Sequence, residues 1–237
     1  MDTRVFADPD AMSRAALEEL LRILRDSMAR RSRFAVALSG GQTPARMYSL
    51  WAEHYRAQTP WEHVHLFWSD ERFVSQSDPL SNYRMTSEAL LSRVPIPPGN
   101  VHPVPTNLPT PQMAADAYEA ELRKFFDGTL PAFDVQLLGL GVEGHTASLF
   151  PESPALEEMQ RWVAAVRAPA EPPHRLTFTP VVLNSGRNTF FLVAGKNKQQ
   201  ILEAIRSEPD SKPSQYPAGR IRPAGPVIWF LDKAAAG

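Results

Sequence analysis

Five short apolar runs, each ending in a glycine or a polar turn, constrain this chain more than any other feature. They lie at residues 33–38, 64–68, 135–138, 189–194 and 227–231. Aliphatic and aromatic residues dominate them, as in strands buried on both faces. Segments with apolar residues at helical spacing fall between most of them. Residues 10–31 are one such segment, with Leu17, Leu20, Leu21 and Leu24 on one face. Residues 44–55, 112–126 and 198–205 are others, and a helix is expected from Ser81 or Asn82 to Leu91. Thr43 is the expected N-cap of the 44–55 helix, with Pro44 as its first residue. A further strand is expected at 162–166, a short one near Val101, and a short helix over 180–185. Alternating strands and helices predict an α/β fold: a mostly parallel, Rossmann-like sheet with helices on both faces and right-handed crossovers. The proline-rich 93–111 stretch and the polar 208–217 stretch read as surface connections. No break separates two cores, so one domain over 1–237 is expected.

Composition removes several classes of function. The net charge of −1 offers no basic field for nucleic acid or an anionic membrane. No cysteine is present, which excludes disulfides, thiolate metal sites and a cysteine nucleophile, and suits a reducing cytoplasm. No apolar run approaches the ~20 residues that cross a bilayer. The first residues lack the basic start and apolar core of a signal peptide. None of the six histidines stands in a His-Glu-x-x-His pair, so no metal site is expected. No Gly-x-Ser-x-Gly elbow occurs.

In an open parallel sheet, ligands bind where the carboxyl ends of the strands converge. The run at 135–138 breaks into Gly139, Gly141 and Gly144, with Glu143 and His145 in the same loop. His145 is the natural proton-handling group near neutral pH. Ser39-Gly40-Gly41-Gln42-Thr43 joins a strand to a helix N-terminus, whose free N–H groups suit a phosphate. It lacks the Gly-Lys-Ser/Thr ending of a nucleotide loop, so a phosphate monoester is the better fit. Asp70-Glu71-Arg72 follows another strand end. Arg72 can polarise a carbonyl oxygen, and Asp70 can bind hydroxyls or hold Arg72. Arg175 and Lys198 are candidate cations for the phosphate, with Lys196 competing for the second place.

The motifs occur in an order that resembles the 6-phosphogluconolactonase family. They are Ser39-Gly40-Gly41-Gln42-Thr43-Pro44, Phe67-Trp68-Ser69-Asp70-Glu71-Arg72, Ser81-Asn82-Tyr83-Arg84, the run from Leu138 through Gly144-His145-Thr146-Ala147-Ser148-Leu149-Phe150-Pro151, Arg175-Leu176-Thr177, Gly195 with Lys198, and Trp229-Phe230-Leu231-Asp232. The resemblance implies the fold shared with glucosamine-6-phosphate deaminase, ribose-5-phosphate isomerase and CoA transferase. It implies hydrolysis of 6-phospho-D-glucono-1,5-lactone without a cofactor. His145 would take a proton from the attacking water, with Glu143 orienting the ring. Arg72 would offset charge on the tetrahedral intermediate. Ser39, Gly40, Gly41, Gln42 and Thr43, with Arg175 and Lys198, would hold the phosphate. Asp70 and Asn82 would meet sugar hydroxyls or brace Arg72. The family often has Asp where this chain has Glu143. The partner would be the small sugar-phosphate lactone, with the protein a monomer or weak homodimer in the cytoplasm.

Two other readings stay open. An amino-sugar phosphate isomerase/deaminase usually carries Tyr at position 72 and Gly-His-Ile-Ala-Phe-Asn at 144–149; an ammonia-release assay separates it. A non-enzymatic sugar-phosphate sensor usually adds a helix-turn-helix unit, and the residues before 33 offer one helix only.

Overall fold

The computed structural model describes residues 2–209 and 213–237; part of the 208–217 connection therefore lies outside the described residues. The strands are β1 Asp2–Phe6, β2 Phe34–Leu38, β3 Val64–Trp68, β4 Asp70–Arg72, β5 Val101–His102, β6 Val135–Leu138, β7 Val163–Arg167, β8 His174–Phe178, β9 Thr189–Val193 and β10 Val227–Asp232. The α-helices are α1 Pro9–Met28, α2 Gln42–His54, α3 Asn82–Ala89, α4 Pro111–Phe125, α5 Pro180–Leu183, α6 Gln199–Arg206 and α7 Lys233–Ala236. Seven strands form one sheet in the order β1-β10-β9-β6-β2-β3-β5, parallel at every pairing. Strands β2, β6 and β9 are buried along their whole length, which is why their sequences lack alternation.

Four strands depart from the sequence expectation. Strand β1 precedes the first expected strand and pairs with β10 at the sheet edge. It is partly exposed, so Asp2, Thr3 and Arg4 break up any apolar run. Strands β4, β8 and β7 form a separate antiparallel sheet. The 162–166 run was expected in the parallel sheet and instead supplies the edge of this one. Strand β4 is three charged residues, and β8 opens with His174 and Arg175, so neither carries an apolar signature.

Ser69 is the joint between the sheets. Its N–H donates to Leu38 O at 2.8 Å, and its carbonyl accepts from Phe178 N at 2.7 Å. Leu176 and Phe178 of the small sheet belong to the same buried cluster as the large sheet. Asp70, the next residue, is therefore held at the seam beside the ends of β2 and β3.

Candidate active site

The carboxyl ends of β2, β3, β6 and β9 open onto a cavity of about 210 Å³, sized for a small metabolite. Ser39, Gly40, Gly41, Asp70, Arg72, Asn82, His145, Arg175 and Lys198 line it. Of the sequence candidates, Gln42, Thr43 and Glu143 lie outside that lining. Thr43 is also not the helix cap. Gly41, at φ 104°, is the N-cap of α2, and no side chain caps the helix. The leading N–H groups of α2 are thus left for an anion. Lys198 ends a short 3-10 turn just before α6, rather than starting the helix. Lys196 is exposed and off the lining, whereas Lys198 is on it.

Three cations face one carboxylate in this lining: Arg72, Arg175 and Lys198 against Asp70. Arg72 and Arg175 stand directly opposite each other across β4 and β8. Like charges so placed repel. Arg175 donates through Nε to Pro172 O at 2.9 Å, and Arg72 through Nη1 to Leu80 O at 2.5 Å. Among the described residues, the buried Arg72 Nε and Ser39 Oγ have no partner. Burial and the neighbouring Arg72 hold Arg175 below its usual proton affinity, and burial does the same to Lys198. A bound anion would relieve both effects.

Asp70 does not hold Arg72. Its Oδ2 accepts from Ser148 Oγ at 2.7 Å, and Asn82 Nδ2 donates to its backbone oxygen at 2.9 Å. Ser148 N also donates to Thr177 Oγ1 at 3.2 Å. Ser148 thus ties the His145 loop to the small sheet. The serine is part of the recognised motif, but its partner lies 78 positions away, where sequence gives no signal. Ala147, at φ 48°, makes the turn that aims Ser148 inward.

The loop closes on itself around His145. Gly141 N donates to His145 O at 2.8 Å, and Thr146 Oγ1 to Gly139 O at 2.9 Å. A Cβ on Gly141 would lie 2.0 Å from His145 Nδ1, so only glycine admits the ring there. The ring packs on Phe150 at 4.3 Å between centroids. Glu143 Oε1 is 3.1 Å from Nδ1, an ion-pair approach too poorly aligned to be a hydrogen bond. Burial holds the imidazole below its ordinary proton affinity, with Lys198 acting the same way. Glu143 and Asp70 oppose them. The imidazole thus binds a proton less readily than a free one, which suits a general base.

Glu71 is the site's hidden support. Its two oxygens accept from the N–H groups of Arg72, Asn82 and Tyr83, each at 2.7 Å, and from Ser81 Oγ at 3.1 Å. It accepts from the first two N–H groups of α3, beside the Ser81 N-cap, and so places Asn82. Burial pushes its carboxyl up to about 7, against those N–H donors. Glu71→Ala is expected to destabilise the fold by on the order of 3 kcal/mol, because the first two N–H groups of α3, the Arg72 N–H and the Ser81 hydroxyl all lose their acceptor. Calorimetry should show a melting temperature about 6–12 °C lower. An unchanged melting point would make Glu71 dispensable.

The glucosamine-6-phosphate isomerases/6-phosphogluconolactonase family model matches residues 7–229. The chain is 47% identical over 212 residues to 6-phosphogluconolactonase of Synechocystis sp., covering 88% of this chain and 86% of that one. It is 39% identical over 234 residues to 6-phosphogluconolactonase of Nostoc sp., covering 98% and 95%. The crystal structure of 6-phosphogluconolactonase from Thermotoga maritima superposes with a TM-score of 0.85 at 31% identity, covering 98% and 99%. On the match across almost its whole length, the chain belongs to the glucosamine-6-phosphate isomerase/6-phosphogluconolactonase family.

Proposed function

We propose that this protein hydrolyses 6-phospho-D-glucono-1,5-lactone to 6-phosphogluconate in the cytoplasm, as a step of the oxidative pentose phosphate pathway. The observation that carries this reading is one cavity lined by both a cation-flanked helix N-terminus and the His145 imidazole. The phosphate lies at Gly40 and Gly41 with Arg175 and Lys198. That anchor presents the cyclic ester to His145. His145 takes a proton from water as the water attacks C1. Glu143 offsets the charge that then develops on the ring. Arg72, on the cavity lining, donates to the oxyanion of the tetrahedral intermediate. Asp70, fixed by Ser148, accepts from a sugar hydroxyl. His145 then returns the proton to the ring oxygen as the C1–O bond breaks.

Spectroscopic assay of lactone hydrolysis by the purified protein, with spontaneous decay subtracted, tests the reading. Turnover above that background supports it; decay at the background rate refutes it. The pH profile gives a second check. His145 must be unprotonated to act, and its proton affinity is lowered by burial. Activity is therefore full at pH 7 and falls only as pH drops below the ordinary imidazole value of 6.5. Glu143→Gln removes a carboxylate that favours the protonated ring, so its acid limb should move lower still. A limb above 6.5 in the parent protein would contradict the neutral base.

A further inference from the structure

Residues 213–220 do not line the cavity, yet they are fastened to the loop that carries His145. The Ala218 N–H donates to Gly144 O at 3.0 Å. Gly144 takes φ +87°, and a Cβ built on it would lie 2.7 Å from Tyr216 Cδ1 and 2.9 Å from Tyr216 Cβ. Tyr216 therefore sits directly on the Gly144 Cα.

The segment is itself tied down. The buried Ser214 Oγ donates to Tyr216 O and accepts from Tyr216 N, both at 3.0 Å. Arg220 Nε donates to Ser214 O at 2.8 Å, and its Nη1 pairs with Glu157 Oε1 at 2.7 Å. These contacts use the backbone, Cβ and ring of Tyr216, not its hydroxyl.

Gly144 O and the His145 N–H belong to one peptide unit. The peptide on the other side of His145 is held by Gly141, within the loop. One of the two peptides that aim the imidazole is thus fixed from outside the loop, by this segment.

We infer that Tyr216, with the Ala218 N–H, is a brace that positions His145 through Gly144. Its kinetic consequence rests on the lactonase reading above; its geometric consequence does not. The anion end of the cavity is built from α2, β8 and Lys198, so the brace acts on turnover and not on binding. Removing the ring also opens the flank of the loop to water. His145 is faced by Glu143, Asp70 and Lys198, and burial is the strongest influence on its proton affinity. Hydration therefore moves that affinity up.

Tyr216→Ala is expected to lower kcat about tenfold and leave KM within about twofold, since small misplacements of a reacting group cost rate. The His145 titration midpoint, followed by NMR of the imidazole without substrate, is expected to rise. Tyr216→Phe keeps the ring and should match the parent protein in both measurements. Tyr216→Leu serves if the alanine variant does not fold, with shifts of the same sign. Parent-like kcat and titration in a folded Tyr216→Ala or Tyr216→Leu protein would overturn the brace. So would a loss confined to KM, or a phenylalanine variant as impaired as alanine. If the parent protein itself turns over no lactone, the functional reading fails and the titration alone decides the brace.

Discussion

His145→Ala is expected to lower kcat for lactone hydrolysis by about 10²–10⁴-fold, the usual contribution of a positioned acid–base group. KM should change little, because the phosphate end of the cavity uses other residues. The fold should survive. The ring lines a cavity, and the loop around it is held by backbone bonds at Gly141 and Gly144 and by the Thr146 hydroxyl, all of which the substitution leaves intact. Circular dichroism of the variant checks this. His145→Gln keeps polarity and some volume but has no basic nitrogen, and should be as slow as alanine. A folded His145→Ala protein with near-parent kcat would remove the imidazole from the reaction.

The second large effect belongs to the anion anchor. Arg175→Ala combined with Lys198→Ala removes two of the three cations in the lining. Hydrogen bonds to charged groups contribute about 1.5–3 kcal/mol each. Both cations line one cavity and would meet one phosphate, so the losses will not simply add. A rise in KM on the order of 10²-fold or more is expected, at roughly 1.4 kcal/mol per tenfold. The inhibition constant of 6-phosphogluconate should rise in parallel, while kcat falls less. Arg72→Ala separates the roles of the two facing arginines. If Arg72 serves the oxyanion, its loss falls on kcat; a loss falling on KM would place it with the phosphate. An unchanged KM in the Arg175/Lys198 double variant would place the anchor elsewhere.

The parallel sheet was legible because burial on both faces leaves a plain mark: the runs at β2, β3, β6, β9 and β10 carry almost nothing polar. The edges were not. Strand β1 is held by backbone pairing to β10 and needs no apolar run. Strand β4 is Asp-Glu-Arg, which reads as solvated charge until β8 is seen beside it. Both depend on partners far away in sequence. The same distinction holds in the site. That His145, Asp70, Arg72, Arg175 and Lys198 meet in one cavity was legible from strand ends and motif order. Their supports were not, because each is a contact across the fold: Ser148 with Asp70, Glu71 with the start of α3, Tyr216 with Gly144. Thr43 was misread as a cap because its residue type fits that role. The chain instead turns at Gly41, one residue before the helix begins, and leaves the first N–H groups of α2 facing the cavity end without a side-chain cap.

The reading comes down to the orientation of one ligand. A crystal structure with 6-phosphogluconate bound measures it directly. The phosphate is expected against Gly40 and Gly41, within reach of Arg175 and Lys198, with the C1 carboxylate within hydrogen-bond distance of His145. A ligand lying the other way round, or bound outside this cavity, would contradict the assignment of anchor and base.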